Sequence, residues 1–131
     1  MKVVVVDYSV GIIEIVTLCL QLQWESTEVL PAKDGSEGLE LIERENPDLV
    51  ILDIGLPDMD GLQVLSEIRR FSNVPVIMFT VKNEDTDIAK GLELGANGFV
   101  AKPFSHIELL AQVQAVMRHY HCELVAAEEQ P

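Results

Sequence analysis

Short apolar, β-branched runs alternate along this chain with longer segments in which apolar residues return every three or four positions. A solid or alternating apolar run marks a strand and a 3.6-residue period marks a helix, so the order reads as five repeated strand–helix units. The first strand covers Lys2 to Val6 and the first helix Val10 to Gln23, with Ile12, Ile13, Val16 and Leu20 at helical spacing. A second strand, Glu28 to Pro31, closes on a proline and belongs at a sheet edge, where a missing N–H is tolerated. Ser36 is the expected N-cap of a second helix that ends at Glu45 and is stopped by Asn46-Pro47. Leu49 to Leu52 is apolar without alternation, as in a central strand covered on both faces. A third helix (Gly61 to Arg70), a fourth strand (Pro75 to Phe79) and a fourth helix (Glu84 to Leu94) follow. Gly95-Ala96-Asn97-Gly98 then supplies turn chemistry before a fifth strand at Phe99 to Ala101, and Ser105 caps a last helix reaching about His119. The fold class is therefore α/β, a doubly wound, five-stranded parallel sheet.

The strands end in unlike polar residues. Val3 to Val6 leads to Asp7, Leu49 to Leu52 to Asp53, Val76 to Phe79 to Thr80, and Phe99 to Ala101 to Lys102. In an open parallel sheet, ligands collect outside the carboxyl ends of the strands, so these four side chains are expected in one pocket. Two carboxylates, a hydroxyl and an ammonium are the parts needed to hold a divalent cation and to stabilise a phosphoryl group on one carboxylate.

Size and charge narrow the class. With 131 residues and 48% hydrophobic content the chain suits one core; residues 1–121 are read as the domain and 122–131 as a tail or the start of a linker. Nine basic against 22 acidic residues give a net charge of −13, which repels nucleic acid and anionic membranes. Cys19 and Cys122 suggest no disulfide framework and fit a reducing compartment. Lys2 and four valines are too short for a signal-peptide core, and no apolar run approaches the ~20 residues of a membrane span, so a cytoplasmic location is expected.

Val4-Val5-Val6-Asp7, Pro47-Asp48-Leu49-Val50-Ile51-Leu52-Asp53, Leu56-Pro57-Asp58-Met59-Asp60-Gly61, Pro75-Val76-Ile77-Met78-Phe79-Thr80 and Lys102-Pro103-Phe104 occur in order at characteristic separations. Together they resemble the receiver domain of two-component response regulators, over residues 2 to about 119. Gly91-Leu92-Glu93-Leu94-Gly95-Ala96 and Lys102-Pro103-Phe104-Ser105 with Glu108-Leu109-Leu110 are most similar to the receivers of winged-helix transcriptional regulators. The resemblance implies a flavodoxin-like (βα)5 fold with strand order 2-1-3-4-5. It implies that Asp53 accepts a phosphoryl group from a sensor histidine kinase, and that Mg²⁺ is held by Asp7, Asp53 and the backbone oxygen of Gly55. Thr80 would bond a phosphoryl oxygen after moving inward, Phe99 would follow it as a switch, and Lys102, aimed by a cis peptide to Pro103, would neutralise another oxygen. Each residue also has a plain structural role open to it. Asp7 suits an N-cap of the first helix, Asp53 a turn cap, Thr80 a β-branched strand end, Lys102 a solvated strand end, and Phe99 a core aromatic.

The departures are informative. Tyr8 stands where the family carries a second acidic Mg²⁺ ligand, so cation affinity is expected to be weakened. Val81 replaces a very small residue and is expected to narrow the phosphodonor's approach, whereas Gly55 removes a side chain that usually shades Asp53. The Tyr8 ring is expected to lean into the space that Gly55 vacates. On the output face, Gly98 and Gln112 replace both ends of an acid–arginine pair, while Lys90 and Glu108 remain able to pair. Exposed pairs contribute about 0 to 1 kcal/mol each, which points to a weak homodimer through the fourth helix, fifth strand and fifth helix, or to a monomer. His119, His121 and Cys122 read as an exposed helix terminus rather than a zinc site, and His106 as a surface residue.

Three function classes follow. The leading one is a phosphorylation-switched signalling module whose only chemistry is its own phosphorylation and dephosphorylation. The alternative is a receiver-shaped interaction module that works without phosphorylation because of Tyr8. A haloacid-dehalogenase-type phosphatase with an aspartyl nucleophile is disfavoured because Gly55 occupies the place of its second acid, and a flavin or nucleotide binder because no phosphate-cradling glycine loop follows the first strand.

Overall fold

The computed structural model describes the backbone of residues 1–81 and 85–129 and the side chains of residues 1–80 and 87–119. The elements are β1 (Lys2–Val6), α1 (Val10–Gln23), β2 (Glu28–Ala32), α2 (Gly35–Glu45), β3 (Leu49–Asp53), α3 (Gly61–Arg69), β4 (Val76–Val81), α4 (Asp85–Glu93), β5 (Gly98–Lys102) and α5 (His106–Glu129). All strands pair in parallel in the order β2-β1-β3-β4-β5, as expected.

Alternation along the strands divides the core into two layers. Val3, Val5, Leu49, Ile51, Ile77 and Phe79 pack against Ile13, Val16 and Leu20 of α1 and against Leu109, Val113 and Val116 of α5. Val4, Val6, Val50, Leu52, Val76 and Met78 pack on the other side against Ile42 of α2 and Val64, Leu65 and Ile68 of α3. Sidedness therefore follows residue parity, and parity decides where each strand-end polar group points. Among the described residues, no helix is long and apolar enough to cross a membrane.

The strands run further than their apolar stretches. Asp53, Thr80, Val81 and Lys102 all lie inside strands, because pairing with a neighbour continues after the hydrophobic signal stops. Pro31 sits in the edge strand, as expected, and Ala32 extends it, its carbonyl accepting from the Asp7 N–H at 3.0 Å. The N-cap of α2 is Asp34, not Ser36. Asp34 Oδ1 accepts from Glu37 N at 2.8 Å, and Asp58 lends its carboxylate to the N–H groups of Gly35 (2.7 Å) and Ser36 (3.0 Å), so the first turn closes earlier. Ser105 caps α5 as expected, accepting from Glu108 N at 3.1 Å, but the helical backbone continues past His119 to Glu129. Glu84 and the side chains of Val81, His121, Cys122 and the acidic stretch from 123 to 129 lie outside the described residues.

One close approach fixes the end of β3. The Gly61 N–H donates to the Ile54 carbonyl at 2.8 Å, and a Cβ on Gly61 would collide with the Asp53 carbonyl oxygen and come within 2.6 Å of Ile54 Cα. Both are backbone atoms and have little room to yield. Gly61→Ala is expected to lower stability by about 1–3 kcal/mol through overpacking. A Cβ on Gly55 would meet no heavy atom within 4 Å, so Gly55→Ala is expected to stay within about 0.5 kcal/mol of the parent. Urea midpoints of the two variants provide the check.

Candidate functional site

β1, β3 and β5 deliver Asp7, Asp53 and Lys102 to one end of the sheet. Asp53 continues the parity of Leu49 and Ile51, and Lys102 that of Val100, so both side chains issue on the α1–α5 side. Lys102 Nζ stands 2.8 Å from Asp7 Oδ2 and 3.4 Å from Asp53 Oδ2, so one ammonium bridges two carboxylates. Asp7 is only 1% exposed, and its other oxygen accepts from Ser9 N at 2.9 Å. Ser9, rather than Asp7, caps α1, its Oγ accepting from Ile12 N at 3.3 Å. Asp7 is thereby left free of capping duty. Asp53 Oδ1 accepts from Gly55 N at 3.3 Å. The Lys102–Pro103 peptide is cis, and the ammonium lies 5.6 Å from the centroid of Phe79, whose ring stacks on Phe104 at 5.0 Å. An aromatic floor thus completes the cation's surroundings.

Thr80 and Phe99 have the opposite parity. Thr80 is buried at 2% exposure in register with Ala101, and Phe99, in register with Met78, packs partly buried into the α2–α3 layer. A Cβ on Gly91 would come within 2.7 Å of Phe99 Cζ, so the ring lies against α4 where that helix is thinnest. The structure therefore joins Asp7, Asp53 and Lys102 directly, whereas Thr80 and Phe99 follow the residue parity of the α2–α3 layer.

The expected fit between Tyr8 and Gly55 is absent. Tyr8 is 66% exposed, and no atom of its ring lies within 4 Å of a Cβ built on Gly55. The space beside Gly55 is open and offers the phenol no packing surface, so the ring stays in water and the approach above Gly55 is open. Lys90 and Glu108 are both exposed on α4 and α5. A Cβ on Gly98 would come within 2.8 Å of Gln112 Oε1, so the two residues that replace the expected ion pair pack on each other within the chain. His106 is exposed, as expected.

A model of the response regulator receiver domain matches residues 3–114. The chain belongs to that family. Regulatory protein VanRc of Enterococcus gallinarum is 44% identical over 119 residues, which is 91% of this receiver; the chain spans 51% of VanRc's length, about half. A CheY-like receiver domain protein from Methanospirillum hungatei JF-1 superposes with a TM-score of 0.84 at 28% identity, covering 93% of this chain and 97% of that one. NtrX from Brucella abortus reaches 0.90 at 26% identity, covering 98% of this chain and 29% of NtrX.

Receivers use Mg²⁺ in phosphorylation, and the donor set here suits it in kind. Asp7, Asp53 and the Gly55 carbonyl are hard oxygen donors, and Mg²⁺ is commonly held by one or two carboxylates together with waters and substrate phosphate oxygens. Among the described residues, no three His, Cys, Asp or Glu side chains gather as a metal-binding group. Position 8, directly after Asp7, carries an exposed tyrosine.

Two residues that shape this site were not singled out from the sequence. Asp58, in the loop that also carries Gly55, fastens that loop to α2; the Gly35 N–H, ahead of that of Ser36, holds its carboxyl below the usual carboxylate range. The depressed folded value means that Asp58 stabilises the fold above the unfolded carboxylate pKa and ceases to do so as pH falls through its folded pKa. Asp58→Ala is therefore expected to lower the urea midpoint at pH 7, with the gap to the parent closing at strongly acid pH. Arg69 donates to the Gly95 carbonyl (3.2 and 2.8 Å), to Asn97 Oδ1 (3.0 Å) and to the Ser72 carbonyl (3.2 Å), fixing the α4–β5 turn to the end of α3. Burial lowers its pKa from the ordinary arginine value. The left-handed Gly95 (φ +99°) was legible as a turn; its guanidinium partner had no local sequence signal.

Proposed function

We propose that Asp53 takes a phosphoryl group from a sensor histidine kinase and that the new charge is read out through α4, β5 and α5. The bridging ammonium of Lys102, within 3.4 Å of both Asp7 and Asp53, is the observation that carries this reading. An Asp53 oxygen attacks phosphorus, a new O–P bond forms, the donor's N–P bond breaks, and the histidine nitrogen keeps that electron pair. Lys102 then balances charge on the phosphoryl oxygens, which it can do without reorganising. Asp7, Asp53 and the Gly55 carbonyl would hold Mg²⁺, which when bound supplies further neutralisation of the transferring group. The Thr80 hydroxyl lies at the end of the strand between those of Asp53 and Lys102 and would bond a phosphoryl oxygen, freeing Phe99 to move against Gly91.

No turnover of an outside substrate belongs to this reading, because the carboxylate being modified is the protein's own. The module acts in the cytoplasm, does not itself bind nucleic acid, and reports to an effector region of the winged-helix class. VanRc, of which this chain covers 51%, has the length for such a region. The packing of Gln112 on Gly98 supports at most a weak homodimer through α4, β5 and α5, with Lys90 and Glu108 as its remaining charged contacts.

The exposed Tyr8 favours a second reading, an interaction module that works unphosphorylated because its cation site is one anion short. Acetyl phosphate separates the two. With Mg²⁺ raised in steps, intact mass and peptide mapping are expected to show saturable addition of one phosphoryl group at Asp53, with a weaker Mg²⁺ requirement constant than in receivers bearing three acids. No modification at any Mg²⁺ concentration would leave the second reading.

A further inference from the structure

We propose that the cavity between the α1–β2 turn and the middle of α5 binds a small aromatic monocarboxylate. The cavity has a volume of about 720 Å³, inside the range of roughly 300–1,000 Å³ typical of small-ligand sites. It opens at the amino ends of the strands, beside Thr27 just before β2, whereas Asp53 lies at their carboxyl ends. A five-residue strand spans about 16 Å, so this is a place apart from the phosphoacceptor, and the proposal does not rest on Asp53 chemistry.

The lining specifies the ligand. Trp24, Val113 and Met117 supply an apolar wall that is continuous with the α1–α5 core layer. An indole face and a polarisable thioether favour a flat aromatic body. Thr27 also lines the cavity and is only 5% exposed. Its N–H donates to the Trp24 carbonyl at 3.0 Å and its carbonyl accepts from Gln21 Nε2 at 3.2 Å, so its backbone is satisfied. Its Oγ1, by contrast, is the one buried side-chain polar atom among the described residues without a hydrogen-bond partner. The hydroxyl is itself closed to solvent, so a ligand group reaches it only after rotation about the Thr27 Cα–Cβ bond; a buried hydroxyl left unmatched is costly, and the new bond removes that cost. Arg118 is exposed on the lining and carries a permanent positive charge in a planar fork that matches a carboxylate. Glu25 also borders the cavity, which disfavours a dianion such as phosphate. An aromatic ring with a single carboxylate meets all four conditions.

Trp24 is the only tryptophan, so its indole N–H is a single, assignable reporter. Titration of the whole chain with 2-naphthoate, followed by ¹H–¹⁵N correlation spectra, is expected to give a saturable shift of the Trp24 indole and Thr27 amide signals. The uncharged 2-naphthamide should bind about tenfold more weakly, and Arg118→Ala should lose about the same factor for 2-naphthoate alone. Thr27→Val removes the unmatched hydroxyl while keeping its shape, so it should fold at least as stably yet bind 2-naphthoate several-fold more weakly. Asp53→Asn should bind as the parent does. Shifts that never saturate, equal affinity for the acid and the amide, indifference to both lining variants, or shifts centred instead around Leu18 and Phe104 would each overturn the assignment.

Discussion

Replacing Lys102 with methionine is expected to slow phosphoryl uptake by Asp53 roughly 10²–10³-fold, the usual effect of deleting one preorganised charge at a reacting centre. Methionine keeps an apolar stem for the Phe79 face and removes only the ammonium that lies 2.8 Å from Asp7 and 3.4 Å from Asp53. Stability should fall as well. Asp7 is 1% exposed and would keep only the Ser9 N–H for its charge, and breaking a buried pair by removing one partner costs about 3–5 kcal/mol. Lys102 is 23% exposed, so water reaches part of the pair and the lower end, about 3 kcal/mol, is the better expectation. Adding Asp7→Asn to the Lys102→Met variant should recover most of that loss, because the orphaned charge disappears and the two effects are not additive. Urea titrations of the two single variants and the double variant measure the coupling, and acetyl phosphate time courses measure the rate. A cost within the 0–1 kcal/mol of exposed pairs would show that the bridge is incidental to both fold and chemistry.

The sequence made the architecture and the convergence of Asp7, Asp53 and Lys102 legible for the same reason. Strand ends in a parallel sheet are set by where apolar runs stop, and the winding rule then brings those ends together without knowledge of any distance. Parity carries a further distinction: Asp53 and Lys102 share the parity of the α1–α5 layer, whereas Thr80 and Phe99 share that of the α2–α3 layer. Caps were less legible, because a cap depends on which acceptor arrives first. Ser36 is as good a capping residue as Asp34, and only the carboxylate of Asp58, 22 residues beyond Ser36, decides between them. The same holds for Arg69, whose acceptors Gly95 and Asn97 are 26 and 28 residues away. Tyr8 departs from expectation for a different reason. Vacant volume beside Gly55 predicts the ring there, yet a space open to solvent exerts no pull on a phenol that is already hydrated.

Because the ring points to solvent, position 8 is available for a ligand, and Tyr8→Asp is expected to tighten Mg²⁺ binding about tenfold to a hundredfold. Position 8 follows Asp7 directly in the chain, and Asp7 and Asp53 already share one ammonium. A third carboxylate there has two opposite consequences. Without metal it adds a like charge to a site holding a single cation, which should cost roughly 1 kcal/mol of stability at the distances and screening of a protein surface. With Mg²⁺ present at a hundred times its dissociation constant, mass action returns about 2.7 kcal/mol. The variant should therefore melt below the parent in chelator and above it in excess Mg²⁺. Tyr8→Phe should change neither value, since the phenol oxygen of an exposed ring is not a ligand, and Tyr8→Asn should fall between, offering oxygen without charge. Calorimetric Mg²⁺ titration and paired melting curves read both quantities, and the Mg²⁺ concentration that half-saturates acetyl phosphate labelling should drop by the same factor as the dissociation constant. A variant that melts lower in both conditions would mean that the added acid repels its neighbours without joining them around the ion, and that the residue at position 8 is not what limits this site.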